Sequence, residues 1–313
     1  GLGEWQTRQV LSAMGPSAPP LELLCSKRNV LLKKNVSVLV GDEVQVRRCD
    51  LVERTGVVES VYPRRCLFGN PKVANVDHCV LMFSLVQPNI DPLQLSSFLV
   101  AAEAENLQGG VTVVLNKTDL APPGAASDWA ERLERWGYRA VQVSCETGAG
   151  LAEVRERLRG KVGVIVGPSG AGKSSLINAM NAPGAADGDT PHSDGDTLRG
   201  AGGEGWGALE VGEVSSRTGR GKHTTRNISL IPLGASGFLV DTPGFNVPSD
   251  LSQIASGDLP GLFPEIRNQL AAGGPRCNFQ DCSHTHEPGC AIDKGFERYE
   301  LYVTMRFETL ARE

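Results

Sequence analysis

The segment Gly167-Pro-Ser-Gly-Ala-Gly-Lys-Ser174 fits G-x-x-x-x-G-K-S at every fixed position. That pattern makes a phosphate cradle. Glycines let backbone N–H groups wrap a polyphosphate, and the helix that follows adds a favourable dipole at its N-terminus. Lys173 is placed to reach the β- and γ-phosphates, and the Ser174 hydroxyl to bind Mg²⁺. The candidate contacts are Gly167, Ser169, Gly170, Ala171, Gly172, Lys173, Ser174 and Ser175. A phosphate loop does not choose its base, but Asn116-Lys-Thr-Asp119 does. A carboxylate at Asp119 accepts two hydrogen bonds from guanine, whereas adenine would leave it desolvated and unpaired. The Lys117 stem can pack on the base, and the Asn116 amide can bridge to the phosphate loop. A companion segment, Ser144-Cys-Glu-Thr-Gly148, offers a backbone N–H near Ser144 and Cys145 for guanine O6.

Two further segments would sense the γ-phosphate. Asp241-Thr-Pro-Gly244 supplies Asp241 for Mg²⁺, through water, and the Gly244 N–H for the phosphate. In Gly221-Lys-His-Thr-Thr-Arg226, Thr225 is expected to complete the Mg²⁺ shell, although Thr224 and Thr225 also suit an ordinary turn. A Ras-like switch carries a water-orienting Gln after the D-x-x-G glycine. Phe245 stands there and cannot do that work. His223 is the best candidate for the catalytic role, with an RNA contact as its rival reading. The potassium-assisted route is not expected, because Gly170 replaces the Asn it uses.

Near the end, Cys277-x4-Cys282-x-His284-x5-Cys290 provides three thiolates and an imidazole. That set suits a closed, structural, tetrahedral Zn²⁺, with His286 as a rival for His284. The other five cysteines are scattered and read as small buried hydrophobes in a reducing compartment.

The elements that must hold these residues follow from periodicity. From Val76 onward, nearly continuous apolar strands alternate with helical segments. Strands are expected at Val76–Val86, Val111–Leu115, Ala140–Val143, Lys161–Val166, Ile228–Pro232 and Phe238–Val240. Helices are expected at Pro92–Asn106, Ser127–Trp136, Leu151–Leu158, Ser175–Met180 and Phe296–Arg312. This rhythm means a doubly wound α/β domain. Upstream, short β-type runs at Asn29–Leu32, Val36–Val40, Glu43–Arg47 and Gly56–Val61 point to a small barrel or sandwich. The expected divisions are a flexible leader 1–20, a β domain 21–74, a nucleotide domain 75–250 with a mobile insertion at 183–210, and a helical metal-binding domain 251–313.

The order of the motifs is decisive. Asn116–Asp119 and Ser144–Gly148 precede the phosphate loop, and Asp241–Gly244 follows it, so the domain is circularly permuted. A permuted domain keeps its sheet and moves its termini, so both ends of the switch can be tied to appended domains.

Bulk composition narrows the partners. Hydrophobic residues make up 40% and charged residues 21%, a globular balance. The net charge of −5 argues against uniform coating of nucleic acid. Residues 21–72 nevertheless carry ten Lys/Arg against six Asp/Glu, an excess that reads equally as an electrostatic footprint for nucleic acid or as a solvated strand face. No apolar run approaches the roughly 18–20 residues of a membrane span, so no membrane partner is expected. No secretory signal is visible, and a start at Gly1 reads as a trimmed or processed chain.

The permuted order, GPSGAGKSS, GRGKHTT, DTPGF and the closing EPGC together resemble the RsgA (YjeQ) family of ribosome-small-subunit-dependent GTPases. The resemblance runs from about Leu21 to the end. It implies an N-terminal OB-fold, a central GTPase and a C-terminal zinc domain. It also implies binding to the decoding region of the small ribosomal subunit, with its 16S-type rRNA, late in assembly. Hydrolysis of GTP to GDP would then be slow until the ribosome orders the switch. NVDHCVLMFSL and VGEVSSRTGRGKHTTRN look closest to plant and algal plastid members, which implies the chloroplast stroma, with a bacterial cytoplasm as the alternative. Two features depart from the family: the insertion at 183–210 is longer, and the chain lacks the basic tail of some members. Part of the rRNA contact is therefore expected to lie elsewhere. A monomer is expected. Three rival functions stay open: a non-catalytic GTP-dependent RNA chaperone, a large-subunit assembly GTPase and, least favoured by Asn116–Asp119, a small-molecule kinase.

Overall fold

The computed structural model describes residues 7–11, 21–29, 31, 36–69, 72–182, 229–233, 237–241, 254–271 and 276–313. Four strands open the chain: β1 (Thr7–Leu11), β2 (Leu21–Lys27), β3 (Val44–Asp50) and β4 (Thr55–Val61). They form a mixed sheet in the order β1-β2-β4-β3, with β2 and β4 parallel and the two outer pairings antiparallel. Alternation explains β2, where Leu23 and Cys25 are buried and Leu24 and Ser26 exposed. With Leu31 and Val58 they make a small core of their own.

The sheet differs from the sequence expectation in four places. Leu21–Lys27 is a strand. Of the expected strand Asn29–Leu32, the described residues Asn29 and Leu31 lie instead in a helical turn closed by Leu31 N–H on Arg28 O at 2.9 Å. Val36–Val40 is irregular, although Val36 still packs on the small core. The expected leader also contributes β1, which pairs with β2 from Thr7 to Leu11. A short hairpin of β5 (Leu67–Phe68) and β6 (Val73–Ala74) then leads into the larger domain.

That domain is built on β7 (His78–Ser84), α1 (Pro92–Ala104), β8 (Val111–Asn116), α2 (Ala125–Arg135), β9 (Ala140–Gln142), α3 (Leu151–Leu158), β10 (Lys161–Val166), α4 (Lys173–Asn181), β11 (Ser229–Pro232) and β12 (Gly237–Asp241). The sheet order is β11-β12-β10-β7-β8-β9. Only β11 is antiparallel, so β12, β10, β7, β8 and β9 all end on one edge. Every residue of β7 is buried, as a central parallel strand with both faces covered requires. Counting from the phosphate-loop strand β10 as first, the sheet runs second-third-first-fourth-fifth-sixth. The sheet is intact, and only the chain ends have moved.

The expected insertion at 183–210 lies outside the described residues. So do the Gly221–Arg226 segment and Thr242–Phe245.

The C-terminal unit comprises a 3₁₀ turn at Leu259–Leu262, α5 (Pro264–Ala271), the cysteine cluster and α6 (Tyr299–Leu310). It packs on α1, which explains why that helix is apolar on two sides. Phe98 meets Phe83 of the sheet edge-on at 5.4 Å, while Val100 joins Leu259, Phe263, Ile266, Tyr302 and Met305 of the C-terminal core. Arg298 locks the same joint. Its guanidinium donates to both oxygens of Glu265, at 2.7 and 2.6 Å. It also lies 4.9 Å from the Phe263 ring centroid, 5.0 Å from that of Trp136 and 5.4 Å from that of Tyr138. Burial alone would lower the Arg298 pKa, but the Glu265 carboxylate outweighs it and holds the group charged. Next to it, Trp136 Nε1 donates to Glu297 at 2.9 Å, and Arg132 pairs with the same carboxylate.

Arg298 and Glu265 are 2% and 6% exposed in their side chains, so removing one partner strands a buried charge. Arg298→Ala should destabilise the C-terminal unit by about 3–5 kcal/mol, whereas Arg132→Ala at the half-buried rim should cost less, about 1 kcal/mol. Thermal unfolding followed by circular dichroism checks this, and equal shifts for the two variants would contradict the assignment.

Candidate nucleotide site and metal cluster

The parallel strands deliver their following loops to one edge, where ligands of open α/β sheets bind. The phosphate loop follows β10, Asn116–Asp119 ends β8, Ser144–Gly148 follows β9, and Asp241 ends β12. Gly167 and Gly172 are glycines for a structural reason. A Cβ at Gly167 would lie 2.1 Å from the Met82 carbonyl oxygen of β7. One at Gly172 would lie 2.3 Å from the Asn116 Nδ2 atom, on a backbone with φ of +99°. Ala171 and Ser169 are buried, and α4 begins at Lys173. Ser174 and Ser175 occupy its first turn, half-buried.

Asn116 is the junction. Its Nδ2 donates to the Ala171 carbonyl at 2.9 Å, the bridge to the phosphate loop expected from the sequence. Cys145 Sγ donates to its Oδ1 at 3.3 Å. Thr118 N–H on Val143 O, at 3.3 Å, joins the two base-side loops. The second loop is closed by Ser144, whose N–H donates to Ala149 O at 3.0 Å and whose Oγ accepts from Thr147 N–H at 3.1 Å.

Lys117 adopts φ of +63°, and its ammonium donates to Gln87 O at 2.6 Å and Val86 O at 3.2 Å. Burial lowers its pKa, with Asp119 acting against that shift. Sequence reasoning missed this anchorage, because nothing local pairs Lys117 with the loop after β7. Asp119 is exposed at the edge. The Lys173 ammonium is folded onto Gly167 O at 2.8 Å and Pro168 O at 2.9 Å, and must leave these carbonyls to meet a phosphate.

The edge therefore brings together Asn116, Lys117, Asp119, Ser144, Cys145 and Gly167 to Ser175. Asp241 is described only through its backbone, at the end of β12. His223, Thr225 and Gly244 lie outside the described residues.

The ligand atoms of Cys277, Cys282, His284 and Cys290 all lie within 4.8 Å of one another. Cys277 Sγ and Cys290 Sγ each stand 3.6 Å from His284 Nδ1. With Zn–S near 2.3 Å and Zn–N near 2.0–2.1 Å, roughly, these separations match the edges of a tetrahedron around one ion. The donor set thus fits a closed Zn²⁺ site, and His284 rather than His286 belongs to it. Ala291 N–H points at Cys277 Sγ at 3.3 Å, an outer bond suited to a thiolate. Glu287, to which no role was given from sequence, shapes the loop by accepting from Ser283 N–H at 2.9 Å and Thr285 N–H at 3.3 Å. Burial opposes its ionisation, and these donors outweigh burial and hold it well below the usual carboxylate range. From α6, Tyr302 Oη donates to Ser283 O at 2.5 Å and Tyr299 Oη to His284 O at 3.1 Å.

Comparison with known proteins agrees with this geometry. A family described as RsgA GTPase matches residues 61–249. The chain is 44% identical to "Small ribosomal subunit biogenesis GTPase RsgA 1, mitochondrial" of Arabidopsis thaliana, over 94% of this chain and 66% of that protein. It is 37% identical to "Small ribosomal subunit biogenesis GTPase RsgA" of Microcystis aeruginosa, over 99% of this chain and 77% of that protein. Among solved structures, YjeQ from Thermotoga maritima superposes with a TM-score of 0.68 at 30% identity, covering 93% of this chain and 91% of that one. YloQ, titled a circularly permuted GTPase, gives 0.67 at 25% identity, covering 98% and 95%. The permuted sheet, its motif-bearing edge and the matched sequence lead to one conclusion: the chain belongs to the RsgA family of circularly permuted GTPases.

Proposed function

We propose that this chain binds GTP at the C-terminal edge of the large sheet and hydrolyses it to GDP and phosphate in late maturation of the small ribosomal subunit. The observation that carries this reading is the Asn116–Ala171 hydrogen bond, which makes a base-side loop and a phosphate loop into one site. The names of the Arabidopsis and Microcystis relatives support the choice of subunit. In this reading Asp119 accepts from guanine N1–H and the 2-amino group, Lys117 covers the base, and the loop at Ser144 and Cys145 meets O6. Backbone N–H groups from Gly167 to Ser175 hold the phosphates with the Lys173 ammonium. Ser174, Thr225 and Asp241 would hold Mg²⁺, which supplies charge neutralisation between the β- and γ-phosphates. The Gly244 N–H meets the γ-phosphate, and His223 orients the attacking water where Phe245 cannot.

The proposed units are a β domain at 21–74 of OB type, a nucleotide domain at 75–250 and a zinc-bound unit at 251–313, acting as a monomer. The basic excess in residues 21–72 supports rRNA contact by the first. Among the described residues no helix is long and apolar enough to cross a membrane. The chloroplast stroma is the proposed compartment. Cyanobacterial relatives support it, and the mitochondrial name of the Arabidopsis protein supplies the rival. A fluorescent fusion of the full-length gene product separates the two.

Turnover is the direct test. Small subunits, and not large ones, should accelerate GTP hydrolysis. His223→Ala should keep its affinity for GDP and lose roughly 10²–10⁴-fold of the stimulated rate at saturating subunits. Full stimulation of that variant would remove His223 from catalysis, and absence of any turnover in the parent would favour a non-catalytic chaperone. For the cluster, freshly purified protein should carry one Zn²⁺ per chain by elemental analysis, and Cys282→Ala should lose it and melt at lower temperature. A metal-free, fully folded parent would contradict the zinc assignment.

A further inference from the structure

Asn116 is 2% exposed, so both ends of its amide need partners inside the protein. The Ala171 carbonyl at 2.9 Å can only accept, which fixes Nδ2 on that side. Oδ1 must then face a donor, and the group in reach is the Cys145 thiol at 3.3 Å. We propose that Cys145 is a positioning residue for the nucleotide site, its S–H holding the Asn116 amide in the one orientation that ties the base-side loop to the phosphate loop. This rests on the reading that those loops bind one guanine nucleotide. It concerns the side chain, which is separate from any backbone contact at the same position.

Two observations sharpen it. Burial pushes the Cys145 thiol up to about 12, so it keeps its proton and remains a donor at neutral pH. The phosphate loop also packs so tightly on this amide that a Cβ at Gly172 would lie 2.3 Å from Nδ2. A turned or loosened Asn116 amide would present its oxygen to the Ala171 carbonyl and push on Gly172, displacing the cradle that must grip phosphate. The effect is therefore expected on GDP and GTP alike.

The test measures GDP affinity by calorimetry for the parent, Cys145→Ala and Cys145→Ser. The Ser variant restores an O–H donor, and the Ala variant removes the donor while leaving the backbone. Cys145→Ala should bind about tenfold more weakly, the size expected for one lost buried hydrogen bond. Cys145→Ser should stay within about threefold of the parent on the same scale. A packing role predicts the reverse order, since Ala suits an apolar environment better than Ser. An Ala variant as tight as the parent, or a Ser variant as weak as Ala, overturns the proposal. If Cys145→Ala does not fold, Cys145→Ser decides alone: retained binding supports the donor role and lost binding refutes it. A parent that binds no GDP would instead overturn the nucleotide reading itself.

Discussion

The hydrogen bond from the Asn116 amide to the Ala171 carbonyl is the constraint on which the functional edge depends. It spans 55 residues of sequence and joins the end of β8 to the loop after β10, two strands that do not touch. Between them lies β7, so the loops must reach over its end to meet. That geometry explains why glycines stand at Gly167, against Met82 O near the end of the wholly buried β7, and at Gly172, against Asn116. Removing such a buried bond leaves at least one polar group unsatisfied, at about 1–3 kcal/mol. The nucleotide edge and the core beneath it are therefore one structural problem.

Circular permutation ties the appended units to the opposite edge of the sheet, where its parallel strands begin. The β5–β6 hairpin runs straight into β7, and Gly69 N–H donates to Glu105 at the end of α1, at 3.0 Å. Asp77 accepts from Arg65 at 2.5 Å and from Val162 N–H of β10 at 2.9 Å, so the entry to the domain is pinned to the phosphate-loop strand itself. On the other side, the C-terminal unit grips Trp136, just past the end of the helix that follows the Asp119 loop. Both neighbours thus hold elements that carry the motifs by their far ends, so a change of nucleotide state would reach them along the length of β10 and α2.

Much of this was legible in the sequence where the signal is local and periodic. β10 and α3 coincide with their expected bounds, because a short apolar run and a 3.6-residue pattern each stand between glycines. The Cys3His spacing picked out four side chains that the structure brings together, with His284 and not His286 among them. The N-terminal sheet was harder. Asn29–Leu32 has strand-like composition, yet Asn29 and Leu31 lie in a helical turn with Leu31 in the small core, while the strand Leu21–Lys27 adjoins a stretch rich in Ala, Pro and Ser. Arg298, Glu287 and the Lys117 anchorage were not legible at all. Arg298 and Lys117 act through partners that only the tertiary fold brings near, such as Glu265, 33 residues from Arg298, while Glu287 acts through Ser283 and Thr285 in a loop whose turn no periodicity marks.

The account stands or falls on whether the Asn116–Asp119 loop and the phosphate loop serve a single guanine nucleotide. Exchanging the carboxylate proposed to read the base for an amide tests this directly, through the affinities of Asp119→Asn for GTP and for xanthosine triphosphate. An Asn side chain can donate to the 2-oxo group of xanthine and cannot accept both guanine donors. The variant should therefore lose about 1.5–3 kcal/mol of GTP binding, some ten- to hundredfold, and gain xanthosine triphosphate binding in its place. An Asp119→Asn protein that keeps full GTP affinity, and no preference for xanthosine triphosphate, would contradict the single-site account.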